Sequence, residues 1–329
     1  MSKKIKIGLL GVGHLGKIHA KILKEISGFE LVGFFDPDNA AAASAENLAL
    51  KRFENLDALL AESAAIDIVC NTSAHFEMAV KAAKQGKHFF VEKPVTKTVE
   101  EAKKLLKIVE EAGVKAMVGH VERFNPALLS LDSSKIKPVF IEVHRLAQFN
   151  PRGTDVSVIH DLMIHDLDII LSLVKSKVYR VYASGVAIVS ASPDIANARI
   201  EFENGCVANV TASRISMKNM RKMRIFQKNA YLGVDFLKGN TDVLKMHQRK
   251  PSSDIPAFEI DLAEGKKFIS MQSFTKQDVN AIKLELESFH KSITQNKPSP
   301  ISIEDGYRAL QLAQQVANAV EKHIKEVKI

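Results

Sequence analysis

Residues 5–16 read IKIGLLGVGHLG, and this stretch decides the fold of the first part of the chain. The apolar run Ile5–Leu10 predicts a buried β-strand, and a GxGxxG pattern, formed by Gly11, Gly13 and Gly16, follows it directly. In this position the first glycine permits a tight turn, the second lets a diphosphate approach the backbone, and the third lets a helix pack closely on the strand. The stretch therefore predicts a strand, a phosphate-binding loop and the start of a helix.

Short apolar runs alternate with helical patterns up to residue 120. One helix is predicted over Val99–Ala112, where Thr98 and Glu101 form a capping box and Gly113 suits the left-handed position after the helix. Strands that alternate with helices in this way indicate a doubly wound α/β domain with a parallel sheet. Its strands are predicted at Ile5–Leu10, Phe29–Phe35, Ile66–Asn71, Lys87–Val91 and Ala116–Gly119.

After residue 122 the pattern becomes that of an α+β domain with a large, mostly antiparallel open sheet. Asn204-Gly205 is a strong hairpin signal, and Lys238-Gly239-Asn240 predicts a turn within the extended stretch Lys222–Met246. Further strands are predicted at Val178–Val189, Ala198–Glu203 and Cys206–Ser213, and helices at Ile159–Val174, Asp278–Thr294 and Glu304–Lys325. We therefore expect an α/β protein of two domains, 1–122 and 123–329.

Asp36 ends the second predicted strand, twenty residues after Gly16. A carboxylate there accepts hydrogen bonds from the ribose hydroxyls of NAD and repels the additional phosphate of NADP. The alternative is a glycine-rich turn in a nucleotide-free domain, with Asp36 as a solvated loop acid.

The triplet Glu92-Lys93-Pro94 ends the strand predicted at Lys87–Val91, at the sheet edge where α/β domains bind ligands. A lysine there can share the proton of a substrate hydroxyl, whereas a surface lysine without a role is the alternative.

Together these motifs resemble the glucose-fructose oxidoreductase, inositol dehydrogenase and MocA family. The resemblance extends through both halves and rests on Gly11–Gly16, Asp36, Asn71–His75, Gly86–His88 and Glu92–Pro94. It implies an NAD-binding Rossmann domain over 1–122 and a substrate-binding and oligomerisation domain over 123–329, with a homodimer or homotetramer expected. It implies cofactor contacts from Gly11, Gly13, His14, Leu15, Gly16, Asp36, Thr72, Ser73, His75, Glu92 and Lys93. The family often has Thr-Pro where this chain has Thr72-Ser73.

Asp161 and His165 lie four residues apart on the predicted second-domain helix, with Asp168 three residues further on, so all three are expected on one face. The pair resembles the family's D-x-x-x-H motif, in which the histidine is the acid/base partner of the catalytic lysine and the aspartate holds the substrate or tunes the pair. A metal-binding pair and a structural His–Asp pair are the alternatives. No third ligand cluster is evident, and no metal is expected.

Residues 119–126 and 161–168 are similar to a branch of the family that oxidises UDP-N-acetylglucosamine at the sugar C3 hydroxyl. In that branch an aminotransferase takes the keto product. The resemblance implies substrate contacts from Asp161 and His165, and Arg123, Asn125 and Arg152 are further candidates to hold sugar or phosphate. An interdomain salt bridge is the alternative for Arg123.

The sequence thus predicts an NAD-dependent dehydrogenase of a nucleotide sugar, with Lys93, His165 and Asp161 as its catalytic residues. A dehydrogenase of a free sugar or inositol-like polyol remains an alternative, because one fold supports many specificities. So does a cofactor-sensing regulator without catalysis, although such a protein should have lost the lysine and histidine.

Charge and cysteine content restrict the remaining classes. The chain has 46 Lys and Arg against 38 Asp and Glu, and residues 217–250 alone carry nine basic residues and two acids. This basic segment is predicted to receive a diphosphate, to line a subunit contact, or to be the charged outer face of strands. Nucleic acid is not expected as a partner, because no recognition motif accompanies the charge.

Two distant cysteines, Cys70 and Cys206, favour a reducing cytoplasm. No uncharged apolar stretch approaches the ~18 residues of a membrane span, and no signal-peptide cleavage site is evident, so no membrane association is expected.

Overall fold

A computed structural model describes residues 4–150, 156–252, 255–263, 265–275 and 279–327. Contacts between Cα atoms divide the chain into two compact units. The first comprises residues 1–121 and 280–311, and the second comprises residues 122–279 and 312–329. The predicted domain boundary after residue 122 stays a prediction, and this grouping differs from it in placing 280–311 with the first unit.

The first unit contains a five-stranded sheet in the order β2-β1-β3-β4-β5, with every pairing parallel. The strands are β1 (Ile5–Leu10), β2 (Phe29–Phe35), β3 (Ala65–Ile68), β4 (His88–Glu92) and β5 (Ala116–Gly119). The helices between them are α1 (His14–Glu25), α2 (Asn39–Ala43), α3 (Leu56–Glu62), α4 (Thr72–Lys84) and α5 (Val99–Ala112). The predicted doubly wound domain is thereby confirmed.

The sheet of this unit is buried on both faces, as the continuous apolar runs indicate. Phe89, Phe90 and Val91 are consecutive residues of β4, so their side chains point alternately to opposite faces, and all three are fully buried. Chain order around the sheet reverses between β1 and β3, and in such sheets ligands bind beyond the carboxyl ends of the strands at that point.

Local capping signals are reproduced in α5. The Thr98 side chain accepts a hydrogen bond from the Glu101 amide, while the Glu101 carboxylate accepts one from the Thr98 amide. Gly113 follows the helix with φ of 63°, the left-handed conformation that glycine adopts readily.

The second unit is built on a nine-stranded sheet in the order β13-β14-β12-β11-β10-β6-β9-β8-β7. Its strands are β6 (Phe140–Leu146), β7 (Val178–Val186), β8 (Ile195–Phe202), β9 (Val207–Ser213), β10 (Met220–Gln227), β11 (Ala230–Asp235), β12 (Asn240–His247), β13 (Ala257–Leu262) and β14 (Gly265–Thr275). All pairings are antiparallel except that of β6 with β9. The α+β prediction is confirmed, but the sequence did not reveal β6, β13 or β14.

Alternate residues of these strands are buried on one face of the sheet. Ile141 and Val143 of β6 and Met223 and Ile225 of β10 are examples. The predicted Asn204-Gly205 hairpin joins β8 to β9, with Gly205 at φ of 82°.

The helices of the second unit begin with α6 (Pro126–Leu129) and continue with α7 (Ile164–Leu173). A π-helical turn, Ile159–Met163, precedes α7, so the helix predicted over Ile159–Val174 is not regular along its length. At the end of the chain, α8 (Ala281–Thr294) belongs to the first unit and α9 (Ile303–Val327) contributes to both. Among the described residues, no helix has the length and apolar content to cross a membrane.

Candidate active site

The glycine loop between β1 and α1 forms an open cradle. A Cβ atom on Gly13 would meet nothing within 4 Å, whereas one on Gly16 would lie 2.1 Å from the Gly11 carbonyl oxygen. Gly11 has φ of +92°, which side chains other than glycine rarely permit. Gly11 and Gly16 therefore shape the turn, and Gly13 leaves space for a ligand.

The first turn of α1 supplies donors to this space. Gly13 is the N-cap and offers no side-chain hydrogen bond, so no capping side chain satisfies the amides of the first turn, which includes His14 and Leu15. Such amides and the positive end of the helix dipole bind phosphate groups. The predicted contribution of His14 and Leu15 thus fits their main-chain groups.

Asp36 lies at the end of β2 beside this loop. Its carboxylate accepts hydrogen bonds from the Val12 amide at 2.9 Å and the Asp38 amide at 2.9 Å, and the side chain is largely buried. These two bonds fix the carboxylate, so the structure does not support Asp36 as a solvated loop acid.

A pocket of about 310 Å³ opens next to Asp36, within the range of small-molecule sites of roughly 300–1,000 Å³. Residues beyond the ends of β1, β2 and β3 line it. They are Leu10, Gly11, Gly13, Phe35, Asp36, Pro37, Asp38, Val69, Cys70, Asn71, Ser73, Ala74 and Met78. The cradle, the capless helix and the fixed carboxylate together suit a dinucleotide such as NAD.

The start of α4 borders the same pocket. Thr72 opens the helix and is half-buried, while Ser73 is exposed and lines the pocket. His75 differs, because its ring is buried between two carbonyl oxygens, with Nδ1 2.8 Å from Pro94 O and Nε2 3.0 Å from Cys70 O. Burial lowers the pKa of His75. Its predicted contact with the cofactor stays a prediction, and the observed contacts brace the backbone.

Lys93 stands in the turn that follows β4, at the carboxyl edge of the sheet. The peptide bond between Lys93 and Pro94 is cis. Glu92 folds back on this turn, where its Oε2 accepts the Lys93 amide at 3.1 Å. Gly119 is the partner of Glu92 on β5, and a Cβ there would lie 2.8 Å from the Glu92 carboxylate. Glycine at this position of β5 therefore leaves room for the Glu92 carboxylate in its observed position.

His19 also contacts Glu92, and sequence reasoning missed it. The ring is fully buried, with Nδ1 2.9 Å from Asp67 Oδ2 and Nε2 3.4 Å from Glu92 Oε1. One signal was present in the sequence, because Asp67 interrupts the otherwise apolar strand β3. A carboxylate buried inside a parallel sheet requires a partner.

In the second unit, Asp161 lies within the π-helical turn and His165 near the start of α7, and both are half-buried. A π-helical turn inside an α-helix frequently marks a functional site, because it changes the direction of side chains locally. The spacing that placed Asp161, His165 and Asp168 on one regular helical face is therefore interrupted between the first two.

Two arginine–aspartate pairs anchor α7. Arg145 of β6 is buried and donates Nε and Nη2 to the Asp166 carboxylate, at 2.8 Å each, and Nη1 to Glu122 at 2.8 Å. Arg123 donates to both oxygens of Asp168, at 2.7 and 2.6 Å. The bidentate geometry fixes the helix as well as neutralising its acids.

These contacts bear on the predicted substrate residues. The salt bridge between Arg123 and Asp168 lies inside the second unit, and an interdomain salt bridge of Arg123 stays an alternative. Asn125 caps α6 through the Ala127 amide and donates to Glu122. The roles of Arg123 and Asn125 toward a substrate stay predictions, and Arg152 lies outside the described residues.

Charged residues of the basic segment pair within the sheet. Lys222 contacts Asp235 at 3.5 Å and Arg224 contacts Glu142 at 2.8 Å, and each pair faces its partner across adjacent strands. Part of the local charge is thus the paired outer face of antiparallel strands. Across the described ranges no three His, Cys, Asp or Glu side chains cluster in a way that could hold a metal ion.

Comparison with known proteins identifies relatives over the whole chain. The chain is 38% identical over 328 residues to UDP-N-acetylglucosamine 3-dehydrogenase of Acidithiobacillus ferrooxidans, covering 98% of this chain and 99% of that protein. A structure of that enzyme matches with a TM-score of 0.86 at 36% identity, covering 97% of this chain and 99% of the other. The chain is also 32% identical to scyllo-inositol 2-dehydrogenase (NAD(+)) of Bacillus subtilis, over 66% of this chain and 69% of that protein.

Family models match both parts of the chain. The model of the oxidoreductase family with an NAD-binding Rossmann fold matches residues 5–120, and that of the family's C-terminal alpha/beta domain matches residues 147–329. The first model covers the parallel sheet with its glycine cradle, and the second covers most of the mainly antiparallel sheet. The chain belongs to the glucose-fructose oxidoreductase, inositol dehydrogenase and MocA family, and it is an NAD-binding oxidoreductase.

Proposed function

We propose that this protein oxidises the C3 hydroxyl of UDP-N-acetylglucosamine to the keto sugar with NAD as the hydride acceptor. The observation that carries the proposal is the similarity along nearly all of both chains to the Acidithiobacillus ferrooxidans enzyme. The chain also has Lys93, Asp161 and His165, to which we assign the handling of the proton.

Bound NAD would take the hydride from the sugar carbon, and the protein would position the sugar and handle the proton. Lys93 and His165 are proposed to draw the proton from the same hydroxyl as the hydride leaves. A lysine amine and an imidazole can both accept and return a proton near neutral pH when their surroundings tune them. Asp161 is proposed to orient the donor group.

We propose NAD rather than NADP as the preferred cofactor. The Asp36 carboxylate is held by two amides at the pocket that would receive the adenosine ribose, and Asp38 lines the same pocket. Two carboxylates disfavour an additional phosphate there. Asp36→Ser is expected to lower the ratio of kcat/KM for NAD to that for NADP, and an unchanged ratio would contradict this assignment.

The direct test follows the absorbance of reduced cofactor when purified protein is mixed with NAD and a panel of sugars. We expect turnover with UDP-N-acetylglucosamine, and analysis of the product should find the carbonyl at C3. If no UDP-hexosamine gives reduced cofactor and a free hexose or inositol does, the nucleotide-sugar substrate is rejected and the enzyme class is retained.

The second candidate is a dehydrogenase of an inositol-like polyol, and the similarity to scyllo-inositol 2-dehydrogenase favours it. Comparing kcat/KM for scyllo-inositol and for UDP-N-acetylglucosamine separates the two. A cofactor-sensing regulator would bind NAD and oxidise neither.

We further propose that the open face of the nine-stranded sheet joins two copies of the chain. An apolar row crosses this face in register through adjacent strands, and its members are Val207, Phe140, Phe226, Tyr231, Leu244 and Met271. Met271 is 57% exposed and Phe226 is 38% exposed. Such a contiguous apolar surface indicates a protein contact. Light scattering should detect a dimer or tetramer that Phe226→Glu disrupts, and a monomeric unaltered protein would reject the contact.

We place the protein in the cytoplasm, where both cysteines would stay reduced. An aminotransferase acting on the 3-keto product is the proposed next enzyme, since a ketone is what transamination consumes. Incubation with UDP-N-acetylglucosamine, NAD, glutamate and such an aminotransferase should yield the 3-amino sugar.

A further inference from the structure

His19 is a buried titratable group that the proposed chemistry leaves unused. It projects from α1, the helix that the glycine loop opens, and its side chain has no exposed surface. Its Nδ1 lies 2.9 Å from Asp67 on β3, and its Nε2 lies 3.4 Å from Glu92 at the end of β4. The ring therefore connects the cofactor-binding helix to the residue that precedes Lys93.

The partners of the ring determine its charge. Ionised carboxylates only accept hydrogen bonds, and a neutral imidazole has a single N–H to donate. Burial by itself lowers the pKa of an imidazole, but the Asp67 and Glu92 carboxylates outweigh this and raise the pKa of His19 to about 10. Burial raises the pKa of Asp67, and the His19 charge opposes that rise. An imidazolium donates through Nδ1 to Asp67 and places its charge 3.4 Å from Glu92 Oε1, a distance typical of an ion pair, although Nε2 lacks the geometry of a hydrogen bond.

Glu92 transmits this contact to the catalytic turn. Its Oε1 faces His19, while its Oε2 accepts the Lys93 amide at 3.1 Å. Gly119 leaves room for the carboxylate on the neighbouring strand. Oε2 is hydrogen-bonded to the Lys93 amide and Oε1 lies at ion-pair distance from His19, so a shift of His19 can reach the Lys93 backbone through Glu92.

A second buried histidine braces the other side of the turn by different means. His75 contacts the Pro94 carbonyl and the Cys70 carbonyl, and burial lowers its pKa. Glu92, which precedes Lys93, thus contacts one buried histidine through its side chain, and Pro94, which follows Lys93, contacts another through its carbonyl. Of the two rings, only that of His19 contacts carboxylates.

We propose that His19 is a positioning residue for Lys93: its imidazolium bridges Asp67 and Glu92, and Glu92 fixes the backbone of the lysine. The proposal rests on the proposed function, because it takes Lys93 as the proton partner. A misplacement of about 1 Å at a reacting group can cost on the order of 100-fold in rate, so a change at His19 should reduce kcat.

The first measurement compares His19→Gln with His88→Gln, the same change at a half-buried histidine at the start of β4 whose Nδ1 accepts the Lys115 amide. We expect His19→Gln to lower kcat at least about tenfold while KM for NAD changes by less than about threefold. His88→Gln should retain kcat. An unchanged kcat in His19→Gln, or an equal loss in both variants, would overturn the proposal.

A double-mutant cycle tests whether His19 acts through Glu92. In the Glu92→Gln background, His19→Gln should cause little further loss of kcat, because the carboxylate that it positions is absent. Additive losses would mean that His19 affects turnover by another route and would overturn the proposal. If Lys93→Met stays active, the role of Lys93 in the proposed function is wrong. That result can be distinguished from a failure of the proposal for His19, because it does not depend on any change at His19.

The charge of His19 can be measured in the unaltered protein, even if His19→Gln fails to fold. In the ¹⁵N spectrum of histidine-labelled protein, His19 should show two protonated ring nitrogens at pH 8, where an ordinary histidine with pKa near 6.5 is neutral. Glu92→Gln assigns the signal by shifting it. A neutral tautomer for His19 at pH 8 would overturn the proposal.

Discussion

The two units hold their candidate catalytic groups in different ways. Lys93 stands in a turn directly after a strand, and its immediate neighbours Glu92 and Pro94 carry the contacts that place that turn. Asp161 and His165 stand on a helical segment that the buried Arg145 and the half-buried Arg123 anchor from more than twenty residues away. A short motif thus identifies the first set, whereas the second set depends on ion pairs between distant positions. We expect changes at the Lys93 turn to affect mainly chemistry, and changes at the ion pairs that anchor α7 to affect stability as well.

The largest effect is expected from Lys93→Met, which removes the proposed proton partner. Loss of a general acid or base lowers kcat by about 10²- to 10⁴-fold, and the free energy of unfolding should change by only about 1 kcal/mol or less. Lys97→Met, at an exposed lysine four residues on, is the control and should retain full activity. Substantial turnover by Lys93→Met would show that the turn after β4 does not supply the proton partner, and the difference proposed between the two units would not hold.

Arg145→Met tests the anchoring of the second unit. The change leaves Asp166 buried with its main partner gone, and breaking a buried ion pair costs about 3–5 kcal/mol of unfolding free energy. Arg224→Met removes an exposed bridge to Glu142 and should cost only about 0–1 kcal/mol. Chemical denaturation measures both, and equal effects would show that α7 does not depend on the buried pair.

Acid stability should also distinguish the second unit. Three amides and the Ser190 hydroxyl donate to the Asp194 carboxylate. Although burial opposes ionisation, these bonds lower the pKa of Asp194 to about 2. The folded pKa lies below the unfolded one, so this stabilisation is complete above the unfolded pKa of about 4 and is lost as pH falls toward 2.

Asp194→Asn should therefore lower the free energy of unfolding at neutral pH by on the order of 1 kcal/mol, allowing for screening by solvent. The variant should also lose less stability than the unaltered protein when the pH falls from 4 to 2. Asp261→Asn, at an exposed carboxylate of β13, should leave that slope as it is. If the free energy of unfolding falls with pH equally steeply in the unaltered protein and in Asp194→Asn, the prediction is contradicted.

The smallest effect is expected from Thr98→Ala in the first unit. Loss of the side-chain half of the capping box should cost about 0.5–1 kcal/mol of unfolding free energy without lowering kcat. Thr275→Ala, at an exposed strand end, should cost less than about 0.5 kcal/mol. A fall in kcat would mean that α5 affects the site as well as stability.

The difference between the units explains what the sequence could predict. The glycine loop, Asp36 and the capping box depend on residues close in sequence, and the structure has each of these local features where expected. Strand β6 escaped prediction because Arg145 occupies an inward position that an apolar residue would normally take. The buried position of Arg145 is explained by its ion pairs with Asp166 and Glu122, which lie 21 and 23 residues away in the sequence.

The same argument applies to the candidate site. His19 looked like an ordinary helical residue until the fold brought Asp67 and Glu92 to its ring. The π-helical turn at Asp161 likewise has no local signal comparable to a glycine or proline. For His19, pairing of charges between distant residues, rather than periodicity, determines the contact.

Cys70, which lines the pocket beside the glycine loop, has a practical consequence for handling the protein. Burial raises the pKa of its thiol to about 11, so at pH 7 only about one molecule in ten thousand carries the reactive thiolate. Alkylating reagents and mild peroxide should therefore modify this position very slowly. Purification without reducing agents should leave the Cys70 thiol largely unmodified.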